Sequence, residues 1–259
     1  MISTSLRSLE RFLLPNACIV CGKAVPQWEP DALVCAICRV RARQLPTGCR
    51  RCGQPMPPVG PCRFCADWCD ALVWVHSIFW LETETRAMVH HLKYEQCPSL
   101  GALMADLIAD HARPPAPGWL IPIPTGAKRL KQRGYNQTAV IGRRLSQRWK
   151  MPLAEAALTR VRDTRTQTAL TPKARLANVA GAFVARAAPG LAKSTLDSNV
   201  RMAILVDDVL TTGATLDAAA HALASAGWSS IGAVTFARAL PYASRIAAQV
   251  HRAKRLFTN

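Results

Sequence analysis

The chain has 259 residues, enough for one α/β domain together with a smaller module. Its formal net charge of +17 indicates polyanionic partners, either phosphorylated small molecules or nucleic acid. The sequence has no apolar run of about 18 residues and no recognisable signal peptide, which excludes a membrane span and favours a cytoplasmic protein.

Residues 1–15 are predicted to form an N-terminal helix. Leu6, Leu9 and Leu13 recur at helical spacing and give this segment one apolar side. We expect the helix to dock on the protein rather than on lipid, and to end before the first cysteines.

Eight of the ten cysteines lie in four C-x-x-C pairs within residues 16–70. Each pair presents two thiolates from one turn, and two pairs complete the tetrahedral sulfur shell of a structural zinc site. We therefore expect a double zinc ribbon with two zinc ions. Consecutive pairing is favoured, while an interleaved arrangement stays open. The predicted metal ligands are Cys18, Cys21, Cys35, Cys38, Cys49, Cys52, Cys62 and Cys65.

The ribbon segment has too few apolar side chains for an ordinary core, so we expect zinc binding to supply its folding free energy. Five arginines cluster between the two ribbons. They could contact nucleic-acid phosphates, or they could form a solvated linker face. These residues are Arg39, Arg41, Arg43, Arg50 and Arg51.

Strands and helices alternate over residues 71–259, which predicts an α/β domain with a parallel sheet. Strands are expected at residues 72–81, 119–124, 202–206 and 231–236, and helices at 83–96, 99–111 and 214–226. The segment at 125–137, TGAKRLKQRGYNQ, is predicted to be a basic loop ahead of a helix that ends near residue 150. Its cations and glycines suit a pyrophosphate, while a solvated basic helix start stays open. The candidate ligands are Thr125, Gly126, Lys128, Arg129 and Arg133.

Residues 158–183 are basic, polar and rich in threonine. This composition is typical of a mobile lid over a phosphorylated substrate, and almost equally of a plain surface loop. The side chains that such a lid would offer are Arg160, Arg162, Arg165 and Gln167.

The stretch MAILVDDVLTTGATLD, at residues 202–217, carries the most specific signal in the chain. A buried strand ends at Asp207 and Asp208, whose carboxylates can accept hydrogen bonds from vicinal hydroxyls or hold a hydrated magnesium ion. The turn that follows leads into a helix, whose first N–H groups suit a phosphate. Phosphate beside a diol is the chemical outline of a ribose 5-phosphate. The turn residues are Thr211, Thr212, Gly213, Ala214 and Thr215.

The run VDDVLTTGAT closely resembles the motif with which type I phosphoribosyltransferases bind phosphoribosyl pyrophosphate (PRPP). Together with LLPNACIVCG, HLKYE, IPIP, RGYNQ and RLANVAGAF, it makes nearly the whole chain similar to the ComF proteins. The resemblance implies a type I phosphoribosyltransferase fold over residues 71–259, behind the double zinc ribbon of residues 16–70.

The resemblance further implies that PRPP binds with magnesium, that Asp207 and Asp208 are catalytic, and that the protein handles incoming single-stranded DNA with competence-machinery proteins. The acceptor of a phosphoribosyl group is not identifiable, so catalysis itself stays open. One alternative is a non-catalytic nucleic-acid- or partner-binding factor, with Trp28, Trp68, Trp74 and Trp80 as stacking platforms. Another is a phosphoribosyltransferase of nucleotide metabolism unrelated to DNA uptake. Monomer and homodimer both stay open.

Overall fold

The computed structural model describes residues 17–26, 28–29, 33–55, 60–162, 181–187 and 202–239. Four parallel strands form its central sheet: β1 (Leu72–Trp80), β2 (Trp119–Pro122), β5 (Met202–Leu210) and β6 (Ser230–Arg238). Their spatial order is β1-β6-β5-β2, so β5 and β6 are central and β1 and β2 are the edges. Two short strands, β3 (Leu158–Arg160) and β4 (Phe183–Ala185), pair antiparallel in a separate ribbon. The predicted α/β class is confirmed.

Six α-helices and one 3₁₀ turn are present in the described part of the chain. They are α1 (Ala36–Arg41), α2 (Thr83–Tyr94), α3 (Ser99–His111), α4 (Ala127–Arg133), α5 (Gln137–Trp149), the 3₁₀ turn Glu155–Ala157 and α6 (Ala214–Ser225). Helices α3 and α5 cover one face of the sheet, and α6 with the β3–β4 ribbon covers the other. Strand β5 feeds both cores, because Ile204 and Val206 point to the first face and Ala203 and Leu205 to the second.

The cysteine-rich segment packs on the sheet rather than apart from it. Residues 43–51 run beside the edge strand β1, where the Leu45 N–H donates to the Ile78 carbonyl at 2.9 Å and the Val75 N–H to the Arg51 carbonyl at 2.7 Å. Cys18, Cys35 and Cys38 share the core of α2 and α3, and Cys52 and Cys65 share the core of α6. This segment thereby covers an otherwise open sheet edge.

One predicted loop is a helix. Residues 127–133 form the two turns of α4, with Gly126 at its N-cap and Gly134 at its C-cap in the left-handed region (φ 78°). Strand β5 is also longer than expected and includes both aspartates. The helix predicted for residues 1–15 and the basic tail beyond residue 242 lie outside the described residues. None of the described helices combines the length and the apolar character that crossing a bilayer requires.

Candidate functional site

The aspartate pair lies near the carboxyl end of β5, at the edge of the sheet where parallel α/β folds bind ligands. Asp208 is buried, and its backbone N–H donates to Asp207 Oδ1 at 2.8 Å. Burial and the adjacent Asp208 carboxylate raise the pKa of Asp207 to about 7, while Lys93 and Arg160 act in the opposite direction. Asp207 can therefore exchange a proton near neutral pH.

Lys93, in the last turn of α2, forms an ion pair with Asp208. The distance from Lys93 Nζ to Asp208 Oδ1 is 2.6 Å, and both side chains are largely shielded from water. The second oxygen, Asp208 Oδ2, is buried and has no hydrogen-bond partner among the described residues. No role for Lys93 is predicted from the sequence, although the HLKYE motif contains it. The pairing spans 115 residues and depends on how α2 docks over the sheet.

The phosphate turn, residues 211–215, connects β5 to α6. Gly213 is the N-cap of α6 and has a φ of 84°, a conformation that favours glycine. The Ala214 N–H donates to the Thr212 hydroxyl at 3.4 Å. Thr211, Gly213 and Thr215 line a cavity of about 480 Å³, whereas Thr212 and Ala214 do not. The turn thus directs the positive end of the α6 dipole towards open space.

The opposite wall of this cavity comes from the segment between β2 and α5. Thr125, Arg129 and Arg133 line the cavity, as predicted for a second anion site. Lys128 is exposed and Gly126 is buried, and neither lines it. The Arg133 guanidinium donates to Gln137 Oε1 at 3.0 Å, which holds it against the start of α5.

The RGYNQ motif has a structural role at this wall. Asn136 caps α5 by accepting from the Thr138 N–H at 3.3 Å, and its amide donates to the Ile123 carbonyl at 3.2 Å. The Thr138 hydroxyl also donates to the Ile123 carbonyl, at 2.5 Å. These bonds fix the start of α5 to the end of β2, so the cations of α4 have a defined position.

Of the predicted lid residues, Arg160 and Arg162 are described. Arg160 ends β3, lines the cavity, and places its guanidinium 5.2 Å from the Phe183 ring centroid. Arg162 is exposed. Arg165 and Gln167 lie outside the described residues, so their assignment stays a prediction.

The cavity is lined by cations, except where the aspartate pair contributes its two carboxylates. Among its described lining residues, the acids are Asp207 and Asp208 alone, and the cations are Arg86, Lys93, Arg129, Arg133 and Arg160. A second cavity of about 340 Å³ adjoins it, and the two share Lys93, Tyr94, Arg129 and Arg133. Tyr94 is 64% exposed, and the Arg133 guanidinium stands 5.4 Å from its ring centroid. The arrangement suits a ligand with several phosphate groups and a diol.

The cysteines form two separate clusters that fit zinc. In each, the four sulfurs lie within 4.8 Å of one another, and the members are consecutive pairs: Cys18, Cys21, Cys35 and Cys38 in the first cluster, and Cys49, Cys52, Cys62 and Cys65 in the second. Zn–S bonds of about 2.3 Å in a tetrahedron place sulfurs about 3.8 Å apart. The observed Sγ–Sγ distances include 3.9, 3.8 and 3.6 Å. Consecutive pairing is confirmed, and the interleaved alternative is wrong.

Three of the five arginines between the clusters have partners within the chain, while Arg41 and Arg50 are exposed. Arg39 pairs with Glu29 at 3.2 Å and Arg43 with Glu82 at 2.5 Å. Arg51 donates to four carbonyl oxygens, those of Leu72, Cys65, Trp68 and Cys69. Three of the five arginines that were candidates for phosphate contacts thus bind other parts of the chain.

Most of the predicted stacking platforms are core residues as well. Trp68, Trp74 and Trp80 are buried. Trp74 shares a core with the first group of cysteines, and Trp68 shares one with Cys52 and Cys65. Only Trp28 of the four is exposed, at 79%. Of the four candidate stacking platforms, burial therefore excludes Trp68, Trp74 and Trp80 and leaves Trp28.

Comparison with known proteins shows what this chain is similar to. The phosphoribosyl transferase domain model matches residues 136–257, which include the aspartate pair and the phosphate turn. The DNA utilization protein YhgH of Salmonella typhi is 26% identical over 228 residues, covering 84% of this chain and 95% of that protein. YhgH of Escherichia coli (strain K12) is 26% identical over 221 residues, covering 83% and 86%. Competence protein F of Haemophilus influenzae is 36% identical over 123 residues, covering 48% and 51%.

Proposed function

We propose that this chain binds PRPP and takes part in handling single-stranded DNA. It matches the phosphoribosyl transferase domain model over residues 136–257 and is similar to the YhgH and Competence F proteins. The observation that carries the proposal is the shared cavity. It joins the phosphate turn, the aspartate pair and the cations of α4 around about 480 Å³.

In the proposed complex, the 5-phosphate of PRPP lies on the phosphate turn and its ribose hydroxyls donate to Asp207 and Asp208. The pyrophosphate lies beside Thr125, Arg129 and Arg133. The buried Asp208 Oδ2, which has no partner in the described part of the chain, supports a ligand at this point, because an unpaired buried carboxylate oxygen is unfavourable. Magnesium would be held by the two carboxylates and would neutralise charge on the pyrophosphate when bound.

The same arrangement supports phosphoribosyl transfer. The bond between C1 of the ribose and the pyrophosphate oxygen breaks, the pyrophosphate leaves with the bonding electrons, and a nucleophile of the acceptor forms the new bond to C1. Positive charge that develops on the ribose ring lies above the two carboxylates, and the leaving group lies against cations already held in place. Lys93 limits the negative charge of the pair before the ligand arrives.

A thermal-shift screen with PRPP, ribose 5-phosphate, inorganic phosphate and nucleoside monophosphates, each with and without magnesium, tests the binding. A ligand that binds only the folded state raises the melting temperature. At one hundred times its Kd, it adds about 2.7 kcal/mol to the free energy of unfolding. We expect the largest increase for PRPP with magnesium and a smaller one for ribose 5-phosphate. No increase for either sugar phosphate would refute PRPP binding.

The DNA part of the proposal is supported by the adjoining cavity of about 340 Å³. Its wall presents Lys93, Arg129 and Arg133 beside the exposed ring of Tyr94. Cations next to an aromatic ring suit the phosphates and bases of a single strand. The names of the relatives, DNA utilization and competence proteins, point to the same ligand.

A salt series tests this binding mode. Log affinity for a single-stranded oligonucleotide should fall linearly with log salt, with a slope of about −0.7 for each phosphate contacted. Arg133→Ala should make the slope shallower by about 0.7, the value of one phosphate contact, since it removes one cation from the wall that the two cavities share. Lys131→Ala, on the same helix but lining neither cavity, is the matched control. A flat salt response would reject the DNA site.

A further inference from the structure

The second cysteine cluster reaches the phosphate turn through one side chain. Trp68 is buried, and its ring lies so close to Gly213 that a Cβ built on that glycine would be 2.1 Å from Trp68 Cζ2. Since real Cβ atoms do not approach so closely, the turn and the indole are in direct contact. The ring therefore limits how far the turn can move away from the cavity.

Trp68 is itself held by the cluster. Its backbone N–H donates to the carbonyl of the cluster ligand Cys65 at 3.3 Å. Arg51 donates to the carbonyls of both residues, at 2.9 Å to Cys65 and 3.0 Å to Trp68. The ring of Phe64 packs edge-on against the indole, with 5.5 Å between centroids. The position of the indole thus follows the position of the cluster.

A second contact joins the cluster to the helix behind the turn. The backbone N–H of Cys69 donates to Asp217 Oδ1 at 2.7 Å. Asp217 lies in the first turn of α6, and its own N–H donates to the Gly213 carbonyl at 2.8 Å. The start of α6, whose dipole serves the phosphate, is in this way anchored to the cysteine segment.

A third contact reaches the neighbouring strand. Arg238, at the end of β6 and paired in register with Leu210 of β5, is fully buried and donates to the Cys52 carbonyl at 2.6 Å. Its guanidinium stands 4.2 Å from the Phe64 ring centroid. A zinc ion with four thiolates carries a net charge of −2, so the buried cation next to the cluster is compensated when the metal is bound.

We propose that the second zinc cluster is a brace, meaning that it holds the phosphate turn in position. Trp68 is the positioning residue through which the cluster contacts the turn. The first cluster packs with α2 and α3 on the opposite face of the sheet. Loss or oxidation of the second cluster alone therefore weakens binding of a 5-phosphate. This inference rests on the proposed function for the identity of the ligand. The effect on the phosphate turn itself can be measured by hydrogen exchange without any ligand.

The first test compares Trp68→Ala with Trp68→Phe in the zinc-loaded 259-residue chain. Both variants should bind two zinc ions. Trp68→Ala should weaken ribose 5-phosphate binding by at least about fivefold and speed hydrogen exchange of the amides at 211–216, as expected when two coupled sites are disconnected. Trp68→Phe keeps a ring against Gly213 and should restore most of both. Wild-type affinity and exchange in Trp68→Ala would overturn the brace.

The second test removes one zinc at a time. Cys62→Ser, in the second cluster, and Cys21→Ser, in the first, should each bind one zinc ion fewer. We expect faster exchange at 211–216 and weaker ribose 5-phosphate binding in Cys62→Ser only. Equal changes in the two variants, or none in Cys62→Ser, would contradict the proposal. If the wild-type protein bound no sugar phosphate, the proposed function would fall, and the exchange rates would still decide the brace.

Discussion

Asp207 and Asp208 are neighbours in sequence but have different surroundings. Asp208 is buried and paired with Lys93, whereas Asp207 faces the cavity and has its pKa raised to about 7 by burial and by Asp208. A carboxyl group held in this way destabilises the free protein and is relieved by a ligand that donates hydroxyl groups or brings a cation. The site therefore stores free energy that binding can release.

The titration of Asp207 should make the ligand-free protein less stable as the pH rises. Because the pKa is raised from 3.8 to about 7 on folding, the folded state binds more protons between these values, and stability falls as the pH rises through this window. Asp207→Asn removes the titration and keeps an oxygen that can accept from the Asp208 N–H. We expect its melting temperature to exceed that of the wild type by a few degrees at pH 8. The difference should shrink at pH 5, and a variant less stable at pH 8 would contradict this interpretation.

Lys93 should matter for folding as well as for the site. Lys93→Met leaves Asp208 buried without its cation, which should reduce the free energy of unfolding by about 3 kcal/mol. Combining it with Asp208→Asn should recover part of that loss, because the uncompensated charge is then gone. Urea unfolding of the two single variants and the double variant measures the coupling. A Lys93→Met variant as stable as the wild type would show that the ion pair contributes nothing.

Helix α4 places its cations by helical geometry. Arg129 and Arg133 are four residues apart, so they lie on one face and both line the cavity, while Lys128 and Lys131 are exposed. The two glycines that favoured a loop in the sequence, Gly126 and Gly134, are the caps of this helix. A short helix between caps holds its side chains more firmly than a loop does.

Variants of α4 should separate the two phosphate sites. Arg129→Ala removes a cation from the proposed pyrophosphate wall, so it should weaken PRPP binding by about tenfold, the value of one hydrogen bond to a charged group. Ribose 5-phosphate has no pyrophosphate, and its affinity should change by less than about twofold. Lys131→Ala, exposed on the same helix, is the matched control for overall charge. Equal losses for both ligands in Arg129→Ala would remove α4 from the pyrophosphate site.

The elements of the sheet could be predicted because their signals are local. Each of the four strands is an apolar run that lies near its predicted position, and α3 has the predicted bounds of residues 99–111. Strand β5 continues through Asp207 and Asp208 because β6 pairs with it as far as Leu210, which the sequence of β5 alone does not reveal. The same holds for Lys93 and Trp68, whose partners are more than one hundred residues away.

The two four-cysteine clusters lie in different cores, one on each face of the sheet. Their segment also runs beside the edge of β1, and cysteines of both clusters lie in the same cores as the strands of the sheet. The boundary between a zinc ribbon at residues 16–70 and a domain at residues 71–259 stays a prediction. In packing terms, the cysteine segment completes the domain that follows it.

Zinc removal should therefore affect the entire protein. Mass spectrometry under native conditions should find two zinc ions per chain. After chelation, scanning calorimetry should show one transition at a lower temperature, because the cores that lose the metal also hold the helices α2, α3 and α6. Two separate transitions, with the upper one unmoved, would show that the segment and the sheet unfold independently.

The central claim is that the aspartate pair and the phosphate turn hold PRPP. Isothermal titration of the zinc-loaded protein with PRPP and magnesium tests it most directly, with Asp207→Asn/Asp208→Asn as the variant and Lys131→Ala as the control. We predict saturable binding to the wild type and the control, and at least about a hundredfold weaker binding to the double variant, since two charged hydrogen-bond partners are lost. Binding of PRPP to the double variant with wild-type affinity would contradict the claim.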